Sequence, residues 1–258
     1  MKHFYLLLFL LLMSIIGIMT FAFYRYYGPP SMRYYSTTQH NDDTLRIAYI
    51  GDSWAAMHND YNGRMAAIIE DSLQRPVIVK SYGICGLTSK EIYNHLFEDQ
   101  KLKAFMEQGY DYCFISAGIN DTYKKMSTTY YKKSMDGIFI FMTTNHIHPI
   151  ILEIPDYDIL KAYDRQKKSK KILRQLSMFV NNTPLDCKQL FRESLNELIR
   201  EKGYEQKINV IRYKEWNANY KEDLNKLYTG DGMHLNDNGY AVLDSCIITL
   251  IASSATCQ

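Results

Sequence analysis

The sequence lacks a strong charge of either sign. Its 258 residues include 30 Lys and Arg against 28 Asp and Glu, which gives a formal net charge of +2. The basic residues are spread along the chain and interleaved with acidic ones, so electrostatics gives no reason to expect a nucleic-acid partner.

Cysteine is scarce and shows no recognisable spacing. The five cysteines are Cys85, Cys113, Cys187, Cys246 and Cys257. They include no CxxC pair and no metal-ligand spacing, and an odd number at scattered positions is not a disulfide framework. His146 and His148 form an H-x-H pair just before Pro149, but no further ligand follows at a suitable distance. We therefore expect neither a metal nor another cofactor.

The apolar N-terminus lacks a cleavage site. Residues 4–24 are almost uninterrupted apolar sequence, which is enough to span a bilayer as a helix and longer than the core of a cleaved signal peptide. No small-x-small site follows, and the first 84 residues contain no cysteine that could carry a lipid. We predict an uncleaved transmembrane signal anchor over residues 1–26, with a cleaved peptide as the alternative, and then a polar tether over residues 27–44.

Flanking charges give little information about the orientation of this anchor. Lys2 and the terminal amine lie on one side, and Arg25 and Arg33 lie on the other. A short tail before a single anchor usually stays in the cytoplasm, so we place the remaining chain outside it, on the periplasmic or extracellular side.

From Leu45 onward, strand-like and helix-like segments alternate. The predicted strands begin at Leu45, Val77, Tyr112, Ile150 and Ile208. The predicted helices span residues 54–71, 89–108, 130–144, 159–180, 186–202 and 236–252. Such alternation indicates one α/β domain over residues 45–258 with a parallel sheet, whose ligand site lies beyond the carboxyl ends of the strands.

Chemically useful residues follow those strand ends. The first strand ends in Gly51-Asp52-Ser53, and later blocks are residues 83–88, 118–121 and 231–236. Ser53 alone is typical of an ordinary helix cap. The blocks together supply a hydroxyl nucleophile, an imidazole, a carboxylate and donors for an oxyanion, which acyl transfer requires.

The four blocks, in this order, resemble those of the SGNH (GDSL-type) hydrolases. The resemblance covers residues 45–252 and implies a flavodoxin-like three-layer α/β/α fold, here with a central five-stranded parallel sheet, and cleavage of esters. It implies that Ser53 is the nucleophile and His234 the general base supported by Asp231. Trp54 stands where the name-giving motif has Leu.

The resemblance also implies an oxyanion hole. Its donors would be the backbone N–H groups of Ser53 and Gly86 and the side-chain amide of Asn120. Gly83 is a competing glycine in the second block.

Other residues near these blocks have alternative interpretations. We expect Asp52 to fix the turn and Asp121 to serve as a structural hydrogen-bonding residue. Asp156 and Asp158 follow the fourth strand and are candidate substrate contacts, with a solvated loop as the alternative. The basic run of residues 165–171 is interpreted as a solvated helix face, or as one lying against anionic lipid or polymer.

Together these patterns predict a membrane-anchored serine esterase acting outside the cytoplasm through an acyl-enzyme. The predicted substrate is an O-acyl group on a cell-envelope carbohydrate or a small acyl ester. The alternatives are an O-acyltransferase acting on surface polysaccharide and a non-catalytic carbohydrate-binding protein on the same fold.

Overall fold

The computed structural model describes residues 2–28 and 30–255. Met1, Pro29 and residues 256–258, which include Cys257 and the end of the predicted domain, lie outside the described residues. Five strands form one sheet: β1 Leu45–Gly51, β2 Val77–Gly83, β3 Tyr112–Ser116, β4 His148–Leu152 and β5 Asn209–Ile211.

All strand pairs are parallel, in the order β2-β1-β3-β4-β5. The prediction of a five-stranded parallel sheet is therefore confirmed. β1 lies between β2 and β3 and is buried on both faces, which explains its nearly continuous apolar sequence. The order reverses between β1 and β3, and the resulting crevice at the carboxyl ends of these two strands is where such sheets bind ligands.

Helices separate the strands. They are α1 Lys2–Tyr27, α2 Ser53–His58, α3 Asn62–Leu73, α4 Ser89–Glu98, α5 Gln100–Met106, α6 Ile119–Lys124, α7 Thr128–Thr144, α8 Ile159–Asp164, α9 Lys168–Asn181, α10 Lys188–Lys202, α11 Tyr213–Trp216, α12 Tyr220–Leu227 and α13 Asp237–Ala255.

Right-handed crossovers distribute the helices over both faces of the sheet. The connection from β1 to β2 runs in the opposite direction to the later ones, so α2 and α3 lie on the face opposite α4 and α7. α13 packs on α3 and β5, whereas α7 packs on α4, α10 and β4. These contacts produce the three-layer α/β/α arrangement.

Local capping divides segments that periodicity alone predicts as single helices. The predicted helix over residues 54–71 consists of α2, a 3₁₀ turn at Asn59–Tyr61 and α3. The predicted helix over residues 89–108 breaks at Asp99, whose carboxylate accepts hydrogen bonds from the N–H groups of Lys101 and Leu102 and so starts α5.

The N-terminal helix α1 is exposed and apolar. Its span His3–Tyr27 is long and apolar enough to cross a membrane, with a mean hydropathy of 2.7. Such a helix fits a membrane anchor or a signal sequence. Its 26 residues extend about 39 Å, more than the roughly 30 Å of a bilayer's hydrocarbon core.

The segment predicted as a polar tether packs on the domain. The N–H of Thr37 donates to Oδ1 of Asn145 over 2.7 Å, and the amide of Asn145 donates to the carbonyl of Tyr35. The guanidinium of Arg33 pairs with Glu98 at 2.7 Å, and its side chain lies 4.9 Å from the ring centre of Phe97. These contacts hold the end of α1 close to the domain surface.

Candidate active site

The turn from β1 into α2 places Ser53 at the edge of the sheet. Gly51 has φ +148°, and a Cβ there would lie 2.1 Å from the carbonyl oxygen of Ser116, so the neighbouring strand requires glycine at this position. Asp52 caps α2 by accepting a hydrogen bond from the N–H of Trp54 over 3.1 Å. Ser53 is therefore the first residue of the helix, with 9% of its surface exposed.

The short loop before α13 carries Asp231 and His234. The N–H of Thr229 donates to the carbonyl of His234 over 2.8 Å, and Tyr228 pairs with Leu235 in an isolated antiparallel bridge. These two contacts close the loop. Asp231 and His234 therefore face each other three residues apart.

The loop meets the turn after β1. Nε2 of His234 lies 3.0 Å from Oγ of Ser53, and its Nδ1 lies 2.5 Å from Oδ2 of Asp231. Because Nδ1 faces a carboxylate, the neutral ring carries its proton there, which leaves Nε2 as an acceptor for the hydroxyl proton of Ser53. Folding thus joins three residues that are up to 181 positions apart in the sequence.

Asp231 is held in its ionised form. Burial raises its pKa, but hydrogen bonds from the N–H groups of His234 and Met233 and from the side chains of His234 and Thr229 outweigh that effect and lower it well below the usual range. The two N–H donors contact Oδ1 at 3.0 and 2.8 Å, which leaves Oδ2 free for the imidazole.

Asp52 connects two strand ends. Its Oδ1 accepts a hydrogen bond from the hydroxyl of Ser116 over 2.9 Å, and its Oδ2 accepts one from Nδ2 of Asn120 over 3.2 Å. Complete burial raises the pKa of Asp52 to about 6, although these donors oppose the shift. An amide has two N–H bonds, so Asn120 keeps one for another acceptor. The sequence did not show that Asp52 positions Asn120.

Gly83, which ends β2, and Gly86, which follows it, differ in their surroundings. A Cβ on Gly83 would lie 2.1 Å from the backbone nitrogen of Ala56, so Gly83 lets β2 approach α2 closely. Gly86 has φ +84° and open space around a Cβ. Within the described residues, no protein acceptor is recorded for the N–H of Gly86.

Asp121 does not face the same cluster. It is fully buried, and it accepts hydrogen bonds from the N–H and the hydroxyl of Ser89 over 2.8 and 2.7 Å. Burial raises the pKa of Asp121 to about 7. These contacts tie α6 to the start of α4.

Asp156 and Asp158 both have protein partners. Asp156 pairs with Arg192 at 2.7 Å, and Asp158 caps α8 by accepting from the N–H of Lys161. Their loop nevertheless lies near the Asp231–His234 loop. The N–H of Asp158 donates to the hydroxyl of Tyr220, which itself donates to the carbonyl of Gly232 over 2.6 Å.

Arg165 provides a second connection to this loop. Its guanidinium donates to the carbonyl of Asp231 over 3.1 Å. Sequence reasoning missed both Arg165 and Tyr220 as positioning residues, because neither adjoins a recognisable motif.

A second histidine–aspartate pair lies away from Ser53. Nε2 of the buried His58 lies 2.8 Å from Asp244, and its Nδ1 contacts Ser81 and Asn62 at 3.1 and 2.9 Å. Arg64 also bonds Asp244. This enclosed cluster links α2 and α3 to α13.

The H-x-H pair lies at the opposite edge of the sheet, since His148 begins β4. Burial lowers the pKa of His148. Across residues 2–28 and 30–255, no group of three His, Cys, Asp or Glu side chains is arranged to hold a metal ion.

Comparison with known families gives a match over most of the domain. Residues 49–242 match the GDSL-like Lipase/Acylhydrolase family. The matched range contains the end of β1, all of β2 to β5 and every residue of the cluster around Ser53.

Solved structures show the same fold. A lipase/acylhydrolase from Enterococcus faecalis is 17% identical with a TM-score of 0.59, and the match covers 81% of this chain and 96% of that one. An acetylxylan esterase from Geobacillus stearothermophilus is 14% identical with a TM-score of 0.53, over 83% of this chain and 94% of that one.

One curated relative matches in sequence. It is an N-acylneuraminate cytidylyltransferase from Escherichia coli O18:K1:H7, 27% identical over 178 residues. The match covers 67% of this chain but only 35% of the length of that protein.

Proposed function

Because the chain belongs to the GDSL-like lipase/acylhydrolase family and is an ester-hydrolysing enzyme of the SGNH type, we propose that Ser53, His234 and Asp231 form its catalytic triad. The observation that carries this proposal is the continuous contact from Oγ of Ser53 through the imidazole to the carboxylate of Asp231. A hydroxyl nucleophile needs such a base, and the base needs such an orienting group.

In the acylation step, Oγ of Ser53 attacks the ester carbonyl carbon and its proton moves to Nε2 of His234. The ionised Asp231 stabilises the imidazolium that forms. The tetrahedral intermediate then collapses, the bond to the alcohol oxygen breaks, and Nε2 returns the proton to that oxygen. The products are the free alcohol and an acyl-enzyme on Ser53.

The developing oxyanion requires donors, and we assign this role to the N–H groups of Ser53 and Gly86 and the side chain of Asn120. Asp52 engages one N–H bond of Asn120 and so fixes the plane of its amide. The second N–H is then preorganised, which is what makes such donors effective in a transition state.

Deacylation repeats the same chemistry with water. His234 accepts a proton from the water that attacks the acyl carbonyl, and then donates it to Oγ of Ser53 as the carboxylic acid leaves. The net reaction consumes one water for each ester bond.

We further propose that α1 remains attached as a membrane anchor, with the domain outside the cytoplasm and acting on O-acyl groups of envelope carbohydrate. Retention of α1 is supported by its contacts with the domain. Nζ of Lys90 donates to the carbonyls of Arg25 and Gly28, both over 2.6 Å, at the end of the helix.

Two of the similar proteins support a carbohydrate ester as the substrate. One is named for an N-acylneuraminate, and the same fold carries an acetylxylan esterase. Asp156 and Asp158, which are both partly exposed, remain proposed substrate contacts.

The test is turnover of a short-chain aryl ester by the full chain in detergent. Ser53→Ala should abolish it, and Ser72→Ala, which changes an exposed serine on α3, should leave it unchanged. Equal rates for Ser53→Ala and the parent would refute the triad.

Product analysis with an acylated sugar and an excess of acceptor sugar separates hydrolysis from transfer. We expect free acid as the main product. Acyl acceptor as the main product would instead identify a transferase, and failure of a serine-reactive phosphonate to label Ser53 would favour a binding protein.

A further inference from the structure

Helix α9 presents its apolar side chains outward. Ile172, Leu176 and Phe179 are 65%, 55% and 86% exposed, whereas Arg174 and Ser177 on the other side of the helix are buried. An amphipathic helix on a water-soluble domain normally places its apolar face inward. The reversed orientation of α9 indicates an apolar environment outside the domain.

The chain around this face is strongly basic. Residues 165–185 contain no Asp or Glu, and their basic residues are Arg165, Lys167, Lys168, Lys170, Lys171 and Arg174. All of these except Arg174 lie at or before the first turn of α9. A helix with Phe, Leu and Ile on one side and lysines beside them is typical of helices that lie in the interface of an anionic bilayer.

The position of α9 also fits a membrane surface. The hydroxyl of Tyr27, in the last turn of α1, contacts Oγ of Ser177 at 2.5 Å. Tyr24, Tyr26 and Tyr27 cluster at this end of α1, as aromatic residues do where a spanning helix leaves the hydrocarbon. The end of the anchor and the middle of α9 therefore meet at one depth.

We propose that the exposed apolar face of α9 lies in the headgroup region of an anionic membrane, beside the point where α1 emerges. This inference rests on the proposed anchoring role of α1 and extends it to a second contact. Two contacts would restrict rotation of the domain about α1.

The surface contact would also bear on the active site. Arg165, which precedes α9, donates to the carbonyl of Asp231. The segment from Arg165 to Ser177 thus extends from the loop of the proposed triad to the end of the anchor. The domain would present its site at a fixed height above the membrane.

The experiment places tryptophan at single positions in the full chain, which is reconstituted in vesicles of phosphatidylcholine and phosphatidylglycerol. It measures how strongly tryptophan fluorescence is quenched by lipids brominated near the headgroup or along the acyl chain. The test variant is Phe179→Trp. The matched control is Ile68→Trp, which is 47% exposed on α3 at the other face of the sheet, and Leu11→Trp reports insertion of α1. The native Trp54 and Trp216 are buried in the domain, so they supply a constant background.

We expect bromine near the headgroup to quench Phe179→Trp, bromine on the acyl chain to quench Leu11→Trp, and neither to quench Ile68→Trp. Quenching of Leu11→Trp with none of Phe179→Trp would overturn the proposed contact and leave the anchor intact. If neither Leu11→Trp nor Phe179→Trp is quenched, both the anchoring role of α1 and the membrane contact of α9 are overturned. Ser53-dependent turnover on the same sample would report separately on the proposed catalytic chemistry. A blue shift of Phe179→Trp without quenching would mean that a second protein copy covers α9, and would also overturn the proposal.

Charge is tested in the same assay. Replacing Lys167, Lys168, Lys170 and Lys171 with Gln in the Phe179→Trp chain should weaken its quenching, because lysines near an anionic surface strengthen attachment. Unchanged quenching would refute the electrostatic part of the inference.

Discussion

The link between Asp52 and Asn120 provides the sharpest prediction about the mechanism. In Asp52→Asn the oxygen facing Trp54 and Ser116 is kept, but an amide nitrogen replaces Oδ2 and faces Nδ2 of Asn120. Two donors cannot bond each other, so Asn120 loses the partner that fixes its plane. We expect its remaining N–H to turn away from the proposed oxyanion.

The magnitude follows from the value of one oxyanion donor. Removing such a donor costs on the order of 10² to 10³ in kcat, so Asn120→Ala should lose that much. Asp52→Asn acts through the same donor, and its loss should approach but not exceed that value. KM should change little, because the donor acts mainly in the transition state.

The assay is a double-mutant cycle on kcat for a short-chain aryl ester, with unfolding temperatures measured in parallel. If Asp52 acts only through Asn120, the double variant should be no slower than Asn120→Ala alone. Ser116→Ala is the matched control, because it removes another donor to Asp52 without touching Asn120. Losses that multiply in the double variant would refute the reasoning, as would an unchanged rate for Asp52→Asn.

Two further predictions concern stability. Gly83→Ala should lower the free energy of unfolding by about 3 kcal/mol or more, since its Cβ would overlap backbone atoms of α2. Gly86→Ala should cost about 1–2 kcal/mol for its positive φ and should mainly lower kcat. Thermal unfolding and kinetics of both variants check this, and the opposite ranking would contradict the assignment of Gly86, and not Gly83, to the oxyanion hole. For Asp121, burial raises the pKa from 3.8 to about 7, so the folded protein retains a proton that the unfolded chain releases. The free energy of unfolding therefore falls as pH rises from about 4 to 7, by roughly 3–4 kcal/mol from this group. Unfolding of the parent and Asp121→Asn at both ends of that range should show a smaller decline in the variant, and equal declines would contradict the pKa shift.

The sequence by itself determined the parallel sheet. Short apolar runs that end in glycine or polar blocks predict buried strands, because a strand covered on both faces reads as nearly continuously apolar. The same strand ends carry Ser53 and Asn120, and their common edge follows from the parallel direction of β1 and β3. These features are local, so they can be predicted without coordinates.

Contacts between distant segments were decided only by the tertiary structure. The bond from Asp52 to Asn120, the packing of Gly83 on α2 and the tie from Arg165 to Asp231 depend on side-chain directions that no periodicity encodes. For α9, the sequence predicted a helix with a basic run at its start, but only its docking through Arg174 and Ser177 showed which face is turned outward. Hydrophobic patterning specifies that a face exists, and packing against the remaining chain decides what that face meets.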